Sequence, residues 1–138
     1  MNSNPIIIID DDDDDLEIIS QAFAELKIEN EVKVFNNGLE FLDYMRTTTT
    51  KCFFILCDIN MSKLSGLELK KMIFSDEKLR DKCIPFLFFS TSKASNSIME
   101  AYSMNVQGYF IKPSNEKEIR DMLQSMVTYW GYSQHPNS

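Results

Sequence analysis

Histidine is nearly missing from this chain. The one present, His135, stands in the polar C-terminal segment, so no imidazole is at hand as a general base for a site built from the preceding residues. Cysteine is scarce as well. Cys52, Cys57 and Cys83 are an odd number with no Cys-x-x-Cys pair, which speaks against a disulfide framework or a zinc site. They are expected to be reduced, mostly buried thiols of a cytoplasmic protein. No apolar run approaches the ~18–20 residues needed to span a bilayer, so no membrane partner is expected. Met1-Asn2-Ser3-Asn4-Pro5 also lacks the basic start of a signal peptide. Lys and Arg number 14 against 21 Asp and Glu, a net charge of −7. Nucleic acid is therefore not expected as a partner, because phosphate contacts need clustered cations. There is no internal repeat, and low complexity is confined to the run Asp10–Asp15 and the four threonines Thr47–Thr50.

What is present reads as one globular domain. The chain has 138 residues, 43% of them hydrophobic, enough for a real core. A single domain over 1–138 is expected, with its core at about 5–130 and a loose polar tail at 131–138. A DNA-binding output domain would need more chain, so the domain is expected to stand alone. Cys52-Phe53-Phe54-Ile55-Leu56-Cys57 is a short unbroken apolar run, the pattern of a strand buried on both faces of a parallel sheet. Ile6–Ile9 and Ile84–Phe89 read the same way, Gly108–Ile111 supplies a fifth strand, and Glu31–Phe35 alternates like a strand near the edge. Between them lie helical stretches: Leu16, Ile19, Phe23 and Leu26; Leu39, Leu42 and Met45; Leu69, Met72 and Ile73; Ile98, Ala101 and Tyr102. A last stripe runs from Ile119 to Trp130. Asn37 and Ser114 or Asn115 are candidate caps, and Asn105 suits a left-handed helix end. Strand and helix alternate five times. That predicts an α/β, flavodoxin-like fold, a five-stranded parallel sheet in the order 2-1-3-4-5 with helices on both faces.

In that topology the carboxyl ends of strands 1, 3, 4 and 5 face one crevice. They deliver Asp10 and Asp11, Asp58, Ser90 with Thr91, and Lys112. Crowded carboxylates repel, and a hard divalent cation such as Mg2+ resolves this with a few carboxylate oxygens, waters and phosphate oxygens. A hydroxyl and an ammonium beside it suit phosphoryl oxygens. Aspartate itself can be the nucleophile, forming an acyl phosphate.

The set resembles the receiver domains of two-component response regulators over nearly the whole chain, from Ile6 to about Trp130. It rests on acidic residues after strand 1, Asp58-x-x-Met61-x-x-x-x-Gly66 after strand 3, a hydroxyl after strand 4 and Lys112-Pro113 after strand 5. The resemblance implies the following roles. Asp58 is the phosphoacceptor. Asp10, Asp11, Asp58 and the carbonyl of Asn60 hold Mg2+ (or Mn2+), with Asp11 the more direct of the acidic pair. Lys112, Ser90 and Thr91 hold the phosphoryl oxygens. Ser90 and Tyr109 form the switch, and the Lys112–Pro113 peptide is cis. The chain would be a signalling phosphoacceptor rather than an enzyme. It would be loaded by a sensor histidine kinase or a histidine phosphotransfer protein docking near the first helix, and read by an effector or a second copy on the face of the fourth helix, fifth strand and last helix. Tyr129-Trp130 and the Pro136-containing tail are similar to the stand-alone receivers that partner phytochrome-type kinases.

Several positions depart from the family pattern. Ser62 stands where many members have proline, which predicts a more mobile loop after Asp58. Thr91 is bulkier than usual, Asn105 replaces a frequent glycine, and the aspartate run is long. Asp13–Asp15 are expected to serve the positive end of the first helix rather than the cation. Three other readings compete. A calcium loop fails on spacing, because the sixth and twelfth positions are Asp15 and Gln21 instead of glycine and glutamate. A haloacid-dehalogenase-like phosphatase would use Asp10 and Asp12 with Ser90 and Lys112, but lacks a later acidic motif at a strand end. The third reading is a receiver-shaped module that never takes phosphate. The identity of the phosphorylated carboxylate separates the receiver from the phosphatase: Asp58 for the receiver, Asp10 for the phosphatase.

Overall fold

The four consecutive isoleucines Ile6–Ile9 form β1, and all four are buried. In the computed structural model, which describes residues 3–136, this strand pairs in parallel with both β2 (Val32–Phe35) and β3 (Phe54–Cys57). β4 (Phe86–Ser90) and β5 (Gly108–Ile111) follow in parallel, giving the sheet order β2-β1-β3-β4-β5. The expected fold class and strand order are therefore observed. Because side chains alternate across a strand, the apolar runs serve two layers. Ile7, Ile9, Ile55, Cys57, Phe86 and Phe88 meet α2 (Gly38–Thr47), α3 (Gly66–Ser75), α4 (Glu77–Lys82) and α5 (Ser95–Ser103) on one side. Ile6, Ile8, Phe54, Leu56, Leu87 and Phe89 meet α1 (Asp13–Leu26) and α6 (Glu116–Tyr132) on the other. Each fully buried Ile or Phe contributes roughly 1.5–3 kcal/mol through the area it removes from water.

The helix ends follow local side-chain chemistry. Asp12 caps α1 by accepting from the backbone N–H groups of Asp14 and Asp15, and Asn37 caps α2 through Glu40 N–H. Ser65 and Glu68 form a reciprocal capping box at α3, and Asn115 caps α6. Asn105 adopts the expected left-handed conformation, with φ 64°. Lys27 does the same at the end of α1, with φ 54°, where no residue type signalled it.

Four expectations need correction. Among residues 3–136 there are six helices instead of five, because α4 intervenes before β4. It buries only Leu79, too little for a periodic stripe. On α3 the face is rotated: Met72 is 40% exposed, while Lys70 is 1% exposed with its Nζ 5.1 Å from the centroid of the Phe86 ring. The Lys112–Pro113 bond is not cis. The cis peptide among the described residues is Ile84–Pro85. Lys112 N–H donates to Ser90 C=O at 2.9 Å, continuing the ladder, and its side chain reaches the strand ends from the ordinary trans arrangement, which X–Pro bonds prefer. Finally, the segment from residue 131 is not loose through its described part. Gly131 and Tyr132 are helical, and His135 is buried with Nε2 2.6 Å from Phe53 C=O. Its ring lies beside those of Phe53 and Trp130. Asn137 and Ser138, also expected in that tail, and Met1 and Asn2, expected in the domain, lie outside the described residues.

One glycine holds the turn after β3 against the sheet. Gly66 N–H donates to Ile59 C=O at 2.8 Å, and a Cβ on Gly66 would sit 2.2 Å from the backbone oxygen of Asp58 and 2.9 Å from Ile59 Cα. Both are main-chain atoms that cannot step aside. Gly66→Ala is therefore expected to lower stability by about 1–3 kcal/mol, read as a lower urea midpoint. Gly131→Ala, whose Cβ meets open space in α6, is expected to raise the midpoint through helix propensity.

Candidate functional site at the strand ends

The parallel register brings the first residues beyond β1 and β3 side by side. Asp58 N–H donates to Ile9 C=O at 2.9 Å, and Asp10 N–H to Phe35 C=O at 3.1 Å, so both carboxylates leave the sheet at one level. Carboxylate oxygens of Asp10, Asp11 and Asp58 all lie within 4.8 Å of one another. Asp10 is 1% exposed and has both oxygens engaged: Oδ1 accepts from Asp12 N–H at 3.0 Å, and Oδ2 lies 2.8 Å from Lys112 Nζ. Asp58 keeps 12% of its side chain exposed, and its Oδ1 accepts from Ile59 N–H at 2.8 Å. Asp11 is half-buried, and its Oδ2 accepts from Ser62 N–H at 2.8 Å. The loop after Asp58 is thus tied to Asp11 through the backbone of the residue that replaces proline. A proline at 62 would have no N–H to give. A polar cavity of about 370 Å3 opens beside Asp11, Asn37 and Ser62.

Lys112 arrives from the end of β5. Its Nζ lies 2.8 Å from Asp10 Oδ2, 3.0 Å from Asp15 Oδ2 and 3.8 Å from Asp58 Oδ1. Asp15 was assigned to the helix end alone. Nothing in a run of six aspartates distinguishes it, and only the placement of α1 against β5 brings it to the ammonium. Ser90 closes β4 fully buried. Its Oγ accepts from Ser92 N–H at 3.2 Å, and the Ser92 carbonyl accepts from Tyr109 Oη–H at 2.8 Å. The Tyr109 ring packs against Phe88, centroids 6.0 Å apart. The two switch candidates are therefore joined through the backbone of Ser92. Asn60 and Thr91 are exposed on the adjoining loops.

Burial sets the electrostatics. It raises the Asp58 pKa above the ordinary carboxylate range, further helped by Asp10 and opposed by Lys112, the Ile59 N–H and the Ser90 hydroxyl. Burial likewise raises Asp10, against the hydrogen bond from Lys112. Burial alone would pull Lys112 down, but Asp10, Asp15 and Asp58 outweigh it and leave the ammonium more firmly protonated than usual. The three cysteines are buried and free, and burial pushes Cys52 and Cys83 up to about 12 and Cys57 well up, so none is a nucleophile. Three carboxylates whose oxygens lie within 4.8 Å of one another are a donor set that fits a hard divalent cation.

A carboxylate with a raised folded-state pKa contributes stability that is complete below the unfolded value and is lost as pH rises through the folded one. Asp58→Asn should therefore melt higher than wild type at pH 7 in metal-free buffer, by roughly 2–5 °C. The difference should close as pH falls into the ordinary carboxylate range, as scanning calorimetry would show.

The profile of the response regulator receiver domain matches residues 6–124. The probable methanogenesis regulatory protein FilR2 of Methanothrix harundinacea is 27% identical over 86% of this chain and 79% of its own length. Response regulator Rcp1 of Synechocystis is 24% identical over 93% of this chain and 91% of its own. The Mn(2+)-bound structure of Rcp1 covers 95% of this chain and 96% of its own, with a TM-score of 0.81 at 20% identity. The phosphorylated cyanobacterial phytochrome response regulator RcpA superposes with a TM-score of 0.87, at 25% identity over 98% of this chain and 99% of its own.

Proposed function

Because the chain belongs to the response regulator receiver domain family, we propose that it accepts a phosphoryl group on Asp58 from a phosphohistidine donor, a sensor histidine kinase or a histidine phosphotransfer protein. One observation carries this reading. Asp58 is a partly exposed carboxylate with Asp10 and Asp11 within metal-sharing distance and Lys112 3.8 Å away. It is supported by the phosphorylated state in which the similar RcpA was solved.

The transfer forms a bond between an Asp58 oxygen and phosphorus as the phosphorus–nitrogen bond of the donor breaks, its electron pair returning to the imidazole. No general base is required, because a carboxylate is already a nucleophile. This matches the distance of His135 from the strand ends, against Phe53. Asp10, Asp11, Asp58 and the carbonyl of Asn60 would hold Mg2+ or Mn2+, which when bound neutralises charge between the attacking carboxylate and the phosphoryl oxygens. Lys112 supplies a fixed positive charge beside the acceptor, and Ser90, with Thr91 at the rim, supplies hydroxyls for the new oxygens. Asp10, with both oxygens committed, is poorly placed to be the nucleophile of the phosphatase reading.

The response then runs through Ser92. A Ser90 hydroxyl turned toward the phosphoryl group loosens its hold on Ser92 N–H, and the Ser92 carbonyl is the acceptor for Tyr109. The Ser92 loop and Tyr109 shift together, biasing α5, β5 and α6, the face proposed for an effector or a second copy. The donor is proposed to dock along α1, where a cleft of about 440 Å3 between α1 and α6 is lined by Asp14, Glu17, Glu25 and Glu116 around Ile18.

Acetyl phosphate with Mg2+ is expected to add one phosphoryl group to wild type and none to Asp58→Ala, by intact-mass spectrometry. Equal modification of both, or a phosphoryl group mapped to Asp10, refutes the assignment. Tyr109→Ala is expected to be phosphorylated at the wild-type rate yet show no change in amide exchange over 95–103. A normal exchange response in that variant removes Tyr109 from the switch.

A further inference from the structure

Lys112 is claimed by a carboxylate that lies outside the metal-sharing cluster. An ammonium has three N–H donors and no acceptor. Two of its neighbours are at hydrogen-bonding distance, Asp10 Oδ2 at 2.8 Å and Asp15 Oδ2 at 3.0 Å, whereas Asp58 Oδ1, at 3.8 Å, is beyond it. The contact bridges 97 positions of sequence, from the first turn of α1 to the end of β5. Helix capping does not call for it. The cap of α1 is the side chain of Asp12, which accepts from Asp14 and Asp15 N–H at 2.9 and 3.3 Å. Favourable charge at the helix N-terminus is already present in Asp13 and Asp14 on the same turn. Asp15 is set apart from those two by what it touches.

We propose that Asp15 is a restraining residue for Lys112: it holds the ammonium in place in the resting protein and competes with a phosphoryl group on Asp58 for where that ammonium sits. The competition has two parts. A phosphoryl oxygen must draw toward Asp58 an ammonium that Asp15 now holds, its Oδ2 3.0 Å from Nζ, while Asp58 Oδ1 lies 3.8 Å away. The phosphoryl charge must also be accommodated where the carboxylates of Asp10, Asp15 and Asp58 already face a single lysine and Asp11 adjoins two of them. Neutralising Asp15 relieves both, so the phosphorylated state gains relative to the resting one. The contact also gives occupancy a route to α1. When Lys112 turns to the phosphoryl group, the Asp15 carboxylate is released beside Asp14, which lines the cleft between α1 and α6.

This inference rests on Asp58 as the phosphoacceptor, and the test separates the two. Beryllofluoride, a phosphoryl mimic, is titrated by calorimetry at saturating Mg2+ into wild type, Asp15→Asn, Asp15→Ala, Asp15→Glu, Asp14→Asn and Asp58→Ala. The exchange of the Lys112 ammonium protons is followed by 15N NMR. Asp15 is about a third exposed, with 38% of its side chain accessible. With that screening, both neutral variants are expected to bind about five- to tenfold more tightly than wild type, and their Lys112 ammonium protons to exchange faster before the ligand is added. Asp15→Glu and Asp14→Asn are expected to bind like wild type. Unchanged or weaker binding by both neutral variants overturns the restraint. Equal tightening by Asp14→Asn overturns it too, since bulk charge would then suffice. Wild type that fails to bind, or binds no better than Asp58→Ala, overturns the phosphoacceptor reading and this inference with it.

Discussion

A single ammonium, that of Lys112, stands among carboxylates at the carboxyl edge of a parallel sheet, and the working end of the molecule is arranged around that imbalance. In water such charges would be screened. Here burial raises the proton affinity of Asp10 and Asp58 while their negative charge strengthens that of Lys112. In the proposed reaction that excess of negative charge would make a divalent cation and a phosphoryl group complementary to each other here. The cation would relieve the carboxylates, and the phosphoryl oxygens would bring new charge for the ammonium to meet.

The imbalance is affordable because the rest of the fold is rigid and apolar where it supports the site. β1, β3 and β4 are buried along their whole length, so the strand ends that present Asp10, Asp58 and Ser90 have little freedom to separate. Gly66 allows the loop after Asp58 to pass against the main chain, and the bond from Ser62 N–H to Asp11 ties that loop back to the first strand. Packing fixes the positions of the charges, and their repulsion keeps the site receptive.

Much of this was legible in the sequence. Unbroken runs such as Ile6–Ile9 have a reading that depends on only two facts, apolarity and length, and both were decisive. The residues at the ends of those runs then fell into one crevice by topology alone, which is why Asp10, Asp11, Asp58, Ser90 and Lys112 were found together. Features that depend on how elements are placed against one another were not legible. Asp15 is one aspartate among six until α1 is set beside β5. Ser62 matters through its backbone N–H, which almost any residue would supply. α4 escaped notice because one buried leucine makes no period, and the seat of His135 on Phe53 is a long-range contact that its polar neighbours concealed. The geometry of Lys112–Pro113, expected from resemblance, differs here although the lysine still reaches its partners.

Lys70 occupies a place in α3 where the interior is otherwise hydrocarbon, with its amine against the face of Phe86 and burial drawing its proton affinity downward. Such an interior charge withholds folding free energy that a plain thioether or aliphatic chain of similar bulk would release. The domain therefore holds a margin of durability at one position, whose amine lies at the start of β4, the opposite end of that strand from Ser90. An engineer seeking a hardier scaffold could draw on it without replacing any side chain at the strand ends.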